Sequence, residues 1–217
     1  MILNREQWLE ERKKGIGGSD VACILGMSPY KTNVELWEEK VGIREAEDIS
    51  QKEYVKSGTD SEDPLRKLFA VDYKQYEVLH EENEIIHNKE YPFIQVSPDS
   101  RLVEKATGRK GFLEIKRCEI MNHKMYEKWK DGNIPQNYYL QTLQYFLAEE
   151  EFDFGYLRAY LIRHLADGTV IREIRDYVIA NSRAEVQEDL DYLKPQEIEF
   201  WKFVETKTKP PLLLPQI

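Results

Sequence analysis

Cysteine is scarce: Cys23 and Cys118 are the only two in 217 residues, and neither has a CxxC partner. They cannot supply a zinc ribbon or the four thiolates of an iron–sulfur cluster, and their scarcity fits a reducing cytosol. Long apolar runs are missing too. No stretch approaches the ~18 to 20 apolar residues that a spanning helix needs. The opening MILNREQWLEERKK interleaves charged with apolar residues, unlike a secretory signal. A cytoplasmic protein without membrane contact is expected. No repeat, low-complexity tract or Pro/Gly/Ser-rich linker divides the chain, so residues 1–217 read as one domain with a tail over 205–217. Positive charge is also in deficit, with 31 Lys and Arg against 40 Asp and Glu, a net −9. Taken alone, that balance argues against a polyanionic partner.

The basic residues are nevertheless grouped: Arg12-Lys13-Lys14, Arg101 with Lys105, Arg109-Lys110 and Lys116-Arg117. Phosphate binding depends on local surface, and a carboxylate cluster that holds metal itself lowers the net charge. The excess of acid therefore excludes little.

The order of elements suggests an α+β chain. Asn4 can cap a helix running to about Lys14, and Ser19 or Asp20 a second one to Leu25. Further helices are expected over 33–41 and 61–75, the latter from the spacing of Leu65, Leu68, Phe69 and Tyr73. Short apolar runs at 84–87, 93–97, 101–104 and 111–116 read as an antiparallel meander. Helices at 119–130 and 137–149 follow. Two long strands, 154–163 and 170–179, are joined at Ala166-Asp167-Gly168, and a helix over 183–204 closes the chain. A mixed central sheet flanked by helices is the expected architecture.

Ser97-Pro98-Asp99 and Gly111-Phe112-Leu113-Glu114-Ile115-Lys116 carry the chemistry. Glu114 and Lys116 stand two apart on a strand and share a face. A turn at Thr107-Gly108 would bring Asp99 roughly opposite Lys116. Two carboxylates and an ammonium then converge. Hard oxygen ligands suit Mg²⁺, and a neighbouring lysine can orient water or stabilise charge on phosphate. An acid and a base two apart also make an ordinary solvated strand face, and Glu114-Ile115-Lys116 alone does not separate the two.

Further motifs occur in order around this pair: Gly15-Ile16-Gly17-Gly18-Ser19-Asp20, Leu25-Gly26-Met27-Ser28-Pro29-Tyr30-Lys31-Thr32 with Glu35-Leu36-Trp37, Gly58-Thr59-x-x-Glu62, and Tyr138-x-x-Gln141-x-x-Gln144-Tyr145. Over about residues 8–150 the series resembles YqaJ-like viral recombinase domains, relatives of phage lambda exonuclease in the PD-(D/E)XK nuclease superfamily.

The resemblance implies a PD-(D/E)XK fold and a Mg²⁺-dependent DNA exonuclease, with Mn²⁺ able to substitute. It implies Asp99, Glu114 and the Ile115 backbone carbonyl as metal ligands, with Glu62 at the same site through water. Lys116 would position or activate the nucleophilic water, and Gln141 would contact that water or Lys116. Arg12, Ser19 and Ser97 would surround the 5′ phosphate of a DNA end, where an arginine fork suits phosphate. Trp8, Trp37 and Tyr30 read as packing residues. A histidine ligand occurs in some RecB-like relatives, but His87, like the other histidines, matches none of the motifs. The implied activity is 5′-to-3′ digestion of double-stranded DNA from its ends in a phage or prophage setting. Implied partners are a single-strand annealing protein of the RecT or Red-beta type and further copies of the chain, three in a lambda-type ring. A structure-specific or nicking endonuclease is the alternative within the same chemistry. A catalytically silent DNA-binding or inhibitory module is the alternative of another class.

Overall fold

The computed structural model describes residues 3–45 and 52–214. It opens with α1 (Arg5–Lys13), where Asn4 accepts from the Gln7 amide and Gln7 reaches back to Asn4, so both orphan ends are met. The second helix differs from expectation. Gly18–Asp20 form a tight turn before α2 (Val21–Ile24), and Asp20 bonds backward to the Gly17 amide rather than forward into the helix. Thr32 caps α3 (Asn33–Lys40). The next helix, α4 (Glu53–Asp72), starts well before the apolar spacing announces it.

Five strands form the main sheet: β1 (Tyr76–Leu79), β4 (Ser100–Glu104), β5 (Lys110–Ile120), β6 (Phe152–His164) and β7 (Val170–Ala180), in the order β1-β4-β5-β6-β7. Two short strands, β2 (Ile86–His87) and β3 (Gln95–Val96), pair with each other outside it, so the expected four-strand meander is replaced by two ladders. All pairs are antiparallel except β5 with β6, which run parallel from Lys110 to Ile120. Parallel neighbours need a crossover. Here it is α5 (His123–Glu127) and α6 (Gln136–Ala148). The chain closes with α7 (Gln187–Glu205).

Apolar side chains fill both faces of the sheet. On one, α6 and α7 bury Phe112, Leu143, Phe146, Leu190 and Phe200; on the other, Leu65 and Phe69 of α4 cover Leu102, Leu113 and Ile115. α4 is also tied down by charge: Arg158 of β6, 1% exposed, reaches Asp72 and Asp176, each at 2.7 Å. A buried cation is tolerated because both partners are present. Tyr30, expected to pack, is 85% exposed, because the bonds from the Tyr30 and Lys31 amides to Ser28 Oγ turn the chain outward there. Leu212, Leu213 and Leu214 stay largely exposed, although Asn33 holds the tail through the Pro211 carbonyl and the Leu213 amide.

Candidate active site

The β4–β5 hairpin brings the sequence-predicted carboxylates together with an offset of two residues. Glu104 pairs with Arg109 around a four-residue loop whose last residue, Gly108, has φ +74°. That left-handed conformation suits glycine, and the four-residue loop sets the register two residues away from that of a two-residue turn at Thr107-Gly108. Ser100 therefore faces Leu113, and Asp99, one step beyond, falls opposite Glu114 rather than Lys116. The even offset preserves the face. Asp99 Oδ2 accepts a hydrogen bond from the Ile115 amide at 2.6 Å.

Glu114 is 2% exposed and fully engaged. Gln141 Nε2 donates to its Oε1 at 2.8 Å, the Tyr145 hydroxyl donates to its Oε2, and Lys116 Nζ stands 2.5 Å from Oε1. Lys116 also lies over the Tyr138 ring, 5.3 Å from its centre. Tyr138, Gln141 and Tyr145 share one face of α6, three and four residues apart. Gln141 takes its position from Gly18: a Cβ there would come within 2.8 Å of Gln141 Cγ, so only glycine lets the turn approach the helix this closely. Two groups with no assigned role hold Asp99 from behind, since its carbonyl accepts from Arg66 Nε at 3.1 Å and from His80 Nδ1 at 2.9 Å. A carbonyl only accepts, so His80 carries its proton on Nδ1.

The electrostatics follow from three acids crowded around Lys116, with Arg66 and Arg5 acting on Glu62 as well. Burial, then Glu114 and Glu62, push the Asp99 carboxyl well above the usual range, against the pull of Lys116 and the Ile115 amide. Burial and Glu114 likewise raise Glu62. Burial works against the charge on Lys116, but Glu114 and Asp99 outweigh it and its pKa is raised. Burial, with Glu114 and Asp99, also raises the Tyr145 phenol well above its ordinary value, so it stays a donor.

Among the described residues, no three His, Cys, Asp or Glu side chains converge closely enough to cage a metal ion by themselves. Mg²⁺ does not require that, being commonly held by one or two carboxylates, waters and substrate phosphate. Asp99 and Glu62, both pushed up by burial and by neighbouring carboxylates, are oxygen donors whose charged form a divalent cation would favour.

Of the residues expected around a 5′ phosphate, Trp8 gathers Arg12 and Ser97. The Arg12 guanidinium lies 4.4 Å from the centre of its ring and Arg5 lies 5.1 Å from it, while Trp8 Nε1 donates to Ser97 Oγ at 2.8 Å. Ser97 spends its own proton on the Glu84 carbonyl at 2.6 Å. Ser19 is exposed on the turn beside Asp20, whose carboxylate pairs with Lys40 at 2.8 Å and also feels the charge of Arg12. His87 lies elsewhere, with Nδ1 on the Pro92 carbonyl at 2.8 Å.

A mixed five-stranded sheet with an acid pair and a lysine at one hairpin defines the PD-(D/E)XK fold. The model of the YqaJ-like viral recombinase domain matches residues 7–148, and the chain belongs to that family. It is 33% identical over 203 residues to the "Uncharacterized protein YqaJ" of Bacillus subtilis (strain 168), covering 92% of this chain and 56% of that protein. The chain thus spans little more than half the length of that relative. Among solved structures it resembles the alkaline exonuclease LHK-Exo of Laribacter hongkongensis, with a TM-score of 0.63, 17% identity and 93% of each chain covered. It also resembles a phage related exonuclease of Haemophilus somnus 129PT, with a TM-score of 0.53, 13% identity and 89% and 96% of the two chains covered. No helix among the described residues is long and apolar enough to cross a membrane.

Beside Arg66 and His80, Tyr138 and Tyr145 are site residues to which the sequence alone assigns no role. Both stand in the motif around Gln141, and their helical spacing from it is the signal that could have found them.

Proposed function

We propose that this protein is a Mg²⁺-dependent deoxyribonuclease that degrades double-stranded DNA from its ends, 5′ to 3′, leaving single-stranded tails for recombination. The observation that carries it is the buried Asp99–Glu114 pair beside Lys116 at the end of one hairpin. Asp99, Glu114 and the Ile115 carbonyl would hold the metal, with Mn²⁺ able to replace Mg²⁺ and Glu62 acting through water. The metal would supply Lewis acidity and a water of lowered pKa. Lys116 orients that water and opposes the negative charge that develops on phosphate, while Gln141 and Tyr145 fix the Glu114 carboxylate.

Arg12, with Ser19, forms the anchor for a 5′ phosphate. Ser97 belongs to the same corner, where its hydroxyl braces Trp8. The enzyme works in the cytoplasm with a single-strand annealing protein, and as a homo-oligomer of three, since one small acidic domain cannot surround a duplex. The names of the solved exonucleases with this fold support the nuclease class.

Linear and covalently closed circular duplex DNA of the same sequence, incubated with Mg²⁺ and with EDTA, test the reading. Digestion of the linear form alone, abolished by EDTA, is expected. Cutting of the circle would make the protein an endonuclease, and binding without cutting of either would make it a silent DNA-binding module.

A further inference from the structure

Glu197 of α7 is completely buried, and neither carboxylate oxygen has a hydrogen-bond partner. Across from it on α6, Gln144 is equally buried. Its amide orientation is fixed because Nε2 donates to the Ile16 carbonyl at 3.0 Å, which leaves Gln144 Oε1 buried with no donor. Glu197 and Gln144 are in side-chain contact, and buried acceptors left there without a proton are untenable in a packed core. One proton resolves both.

We propose that Glu197 is carried as a neutral acid whose O–H donates to Gln144 Oε1, and that this pair locks the loop over residues 15–19 against the catalytic helix α6. The surroundings agree. Burial and Asp20 push the Glu197 carboxyl up to about 8, opposed by its contact with Gln144. The charged group that acts on it is Asp20 in the turn before α2, already paired to Lys40 of α3 at 2.8 Å. On α2 itself the titratable Cys23 is turned to Ser28. No described cation reaches Glu197 within salt-bridge distance, so the proton is its only means of neutralisation.

The chain of contacts from Glu197 runs to the active site. Gln144 fixes Ile16, which is laid along β3 by bonds from its amide to the Phe93 carbonyl at 2.6 Å and from the Gln95 amide to its own carbonyl at 3.0 Å. Gly18, two residues on, presses on Gln141, and Gln141 holds Glu114. Ser19 sits on the same turn. Glu197 is thus a positioning residue. Its effect on DNA rests on the exonuclease reading; its proton does not.

The sign of the pH effect is fixed. The folded state keeps this proton to about pH 8, whereas an unfolded glutamate releases it near 4.5. The contribution to stability is therefore present below the unfolded value and is lost as pH rises through that window. Glu197→Gln keeps a donor for Gln144 at every pH. Glu197→Met keeps the volume and removes the donor.

Melting temperatures from pH 5 to 9, together with hydrogen exchange of the amides of residues 16–20, test the proposal. At pH 9 Glu197→Gln should melt about 5 °C or more above the wild type, against little difference at pH 5. Protection of the loop amides should drop in the wild type above pH 8 and persist in Glu197→Gln, while Glu197→Met should lose it throughout. Parallel melting curves for wild type and Glu197→Gln would overturn the neutral acid, and equal loop protection in all three proteins would overturn the lock. On linear DNA at pH 7.5, Glu197→Met should lower kcat severalfold through the loosened Gly18–Gln141 contact, and Glu197→Gln should not; an unchanged kcat in Glu197→Met would remove the consequence for DNA. A wild type that cuts no DNA would defeat the exonuclease reading and leave the melting and exchange results to decide this one.

Discussion

Tyr145 donates its hydroxyl proton to Glu114 Oε2, so a phenol in the core fixes the orientation of a carboxylate proposed to hold metal. The same hydroxyl lies 3.2 Å from the Ser97 carbonyl, just before the Asp99 that faces Glu114 across the hairpin. Tyr145→Phe would leave the Phe112–Tyr145 ring stack, at 4.5 Å, in place and remove only the donor. Groups that orient a metal ligand are typically worth 10–100-fold in affinity or activity. A loss of about that size in apparent Mg²⁺ affinity is expected, read from the Mg²⁺ dependence of initial rates. An unchanged dependence would reduce Tyr145 to packing.

The three acids predict how pH and metal act together. Asp99 and Glu62 hold protons in the folded state above their ordinary 3.8 and 4.5, so their share of stability is lost as pH rises through that window. Mg²⁺ would replace those protons. The rise in melting temperature on adding Mg²⁺ should therefore be larger at pH 8 than at pH 5, and smaller in Glu62→Gln than in the wild type at pH 8. Glu197 tilts stability in the same sense but is untouched by Mg²⁺. Equal metal shifts at both pH values would contradict the shared site.

Much of this site was legible in the sequence because its determinants are local. Glu114 and Lys116 share a face by strand alternation, and Gln141 stands in a helix whose face carries two tyrosines. The pairing of Asp99 was not legible in detail. Loop length sets register, and neither Thr107-Gly108 nor its flanks shows whether two or four residues turn the corner. The strand β1 went unseen because Tyr76–Leu79 has only four residues, two of them exposed, and it is stabilised by the β4 ladder rather than by its own pattern. Likewise Glu119 and Ile120 read as the start of a helix, yet the parallel ladder to β6 keeps them in β5. Such partners lie far away in the chain. Glu197 and Gln144 were equally hidden, since a helical glutamate and glutamine look like a solvated face until α7 is packed on α6.

Arg12 carries the prediction of polarity. Its guanidinium is exposed and stacked on Trp8, with no carboxylate within salt-bridge distance among the described residues. A 5′ phosphate would give it a charge-assisted contact worth about 1.5–3 kcal/mol, a tenfold to hundredfold preference over a 5′-hydroxyl end. Arg12→Ala should slow digestion of 5′-phosphorylated DNA and hardly change that of 5′-hydroxyl DNA. Initial rates of two enzymes on two kinds of end decide it. Equal slowing on both ends would assign Arg12 to fold or general affinity, because its stacking on Trp8 also supports the corner around Ser97.

Gly18 gives a steric test of the coupling between the turn and the catalytic helix. Gly18→Ala would place a methyl within 2.8 Å of Gln141 Cγ and 3.3 Å of the Gln141 carbonyl. Relief requires Gln141 to withdraw from Glu114. A fall of about tenfold in kcat is expected, on the scale of a lost ligand-orienting contact, with DNA affinity in EDTA nearly unchanged. Wild-type kcat would show that Gln141 does not act through Glu114.

Asp99, Glu114 and Lys116 are proposed to form a metal-dependent phosphodiesterase centre, and Lys116→Ala probes that centre without removing a proposed metal ligand. Removing this ammonium takes away a preorganised charge that acts on the phosphate in the transition state. Initial rates of wild type and Lys116→Ala should be compared on end-labelled linear duplex DNA with saturating Mg²⁺, and binding in EDTA followed in parallel. A rate loss of roughly 10²-fold or more with binding retained is the predicted result. Cleavage at near wild-type rate would place the active site elsewhere.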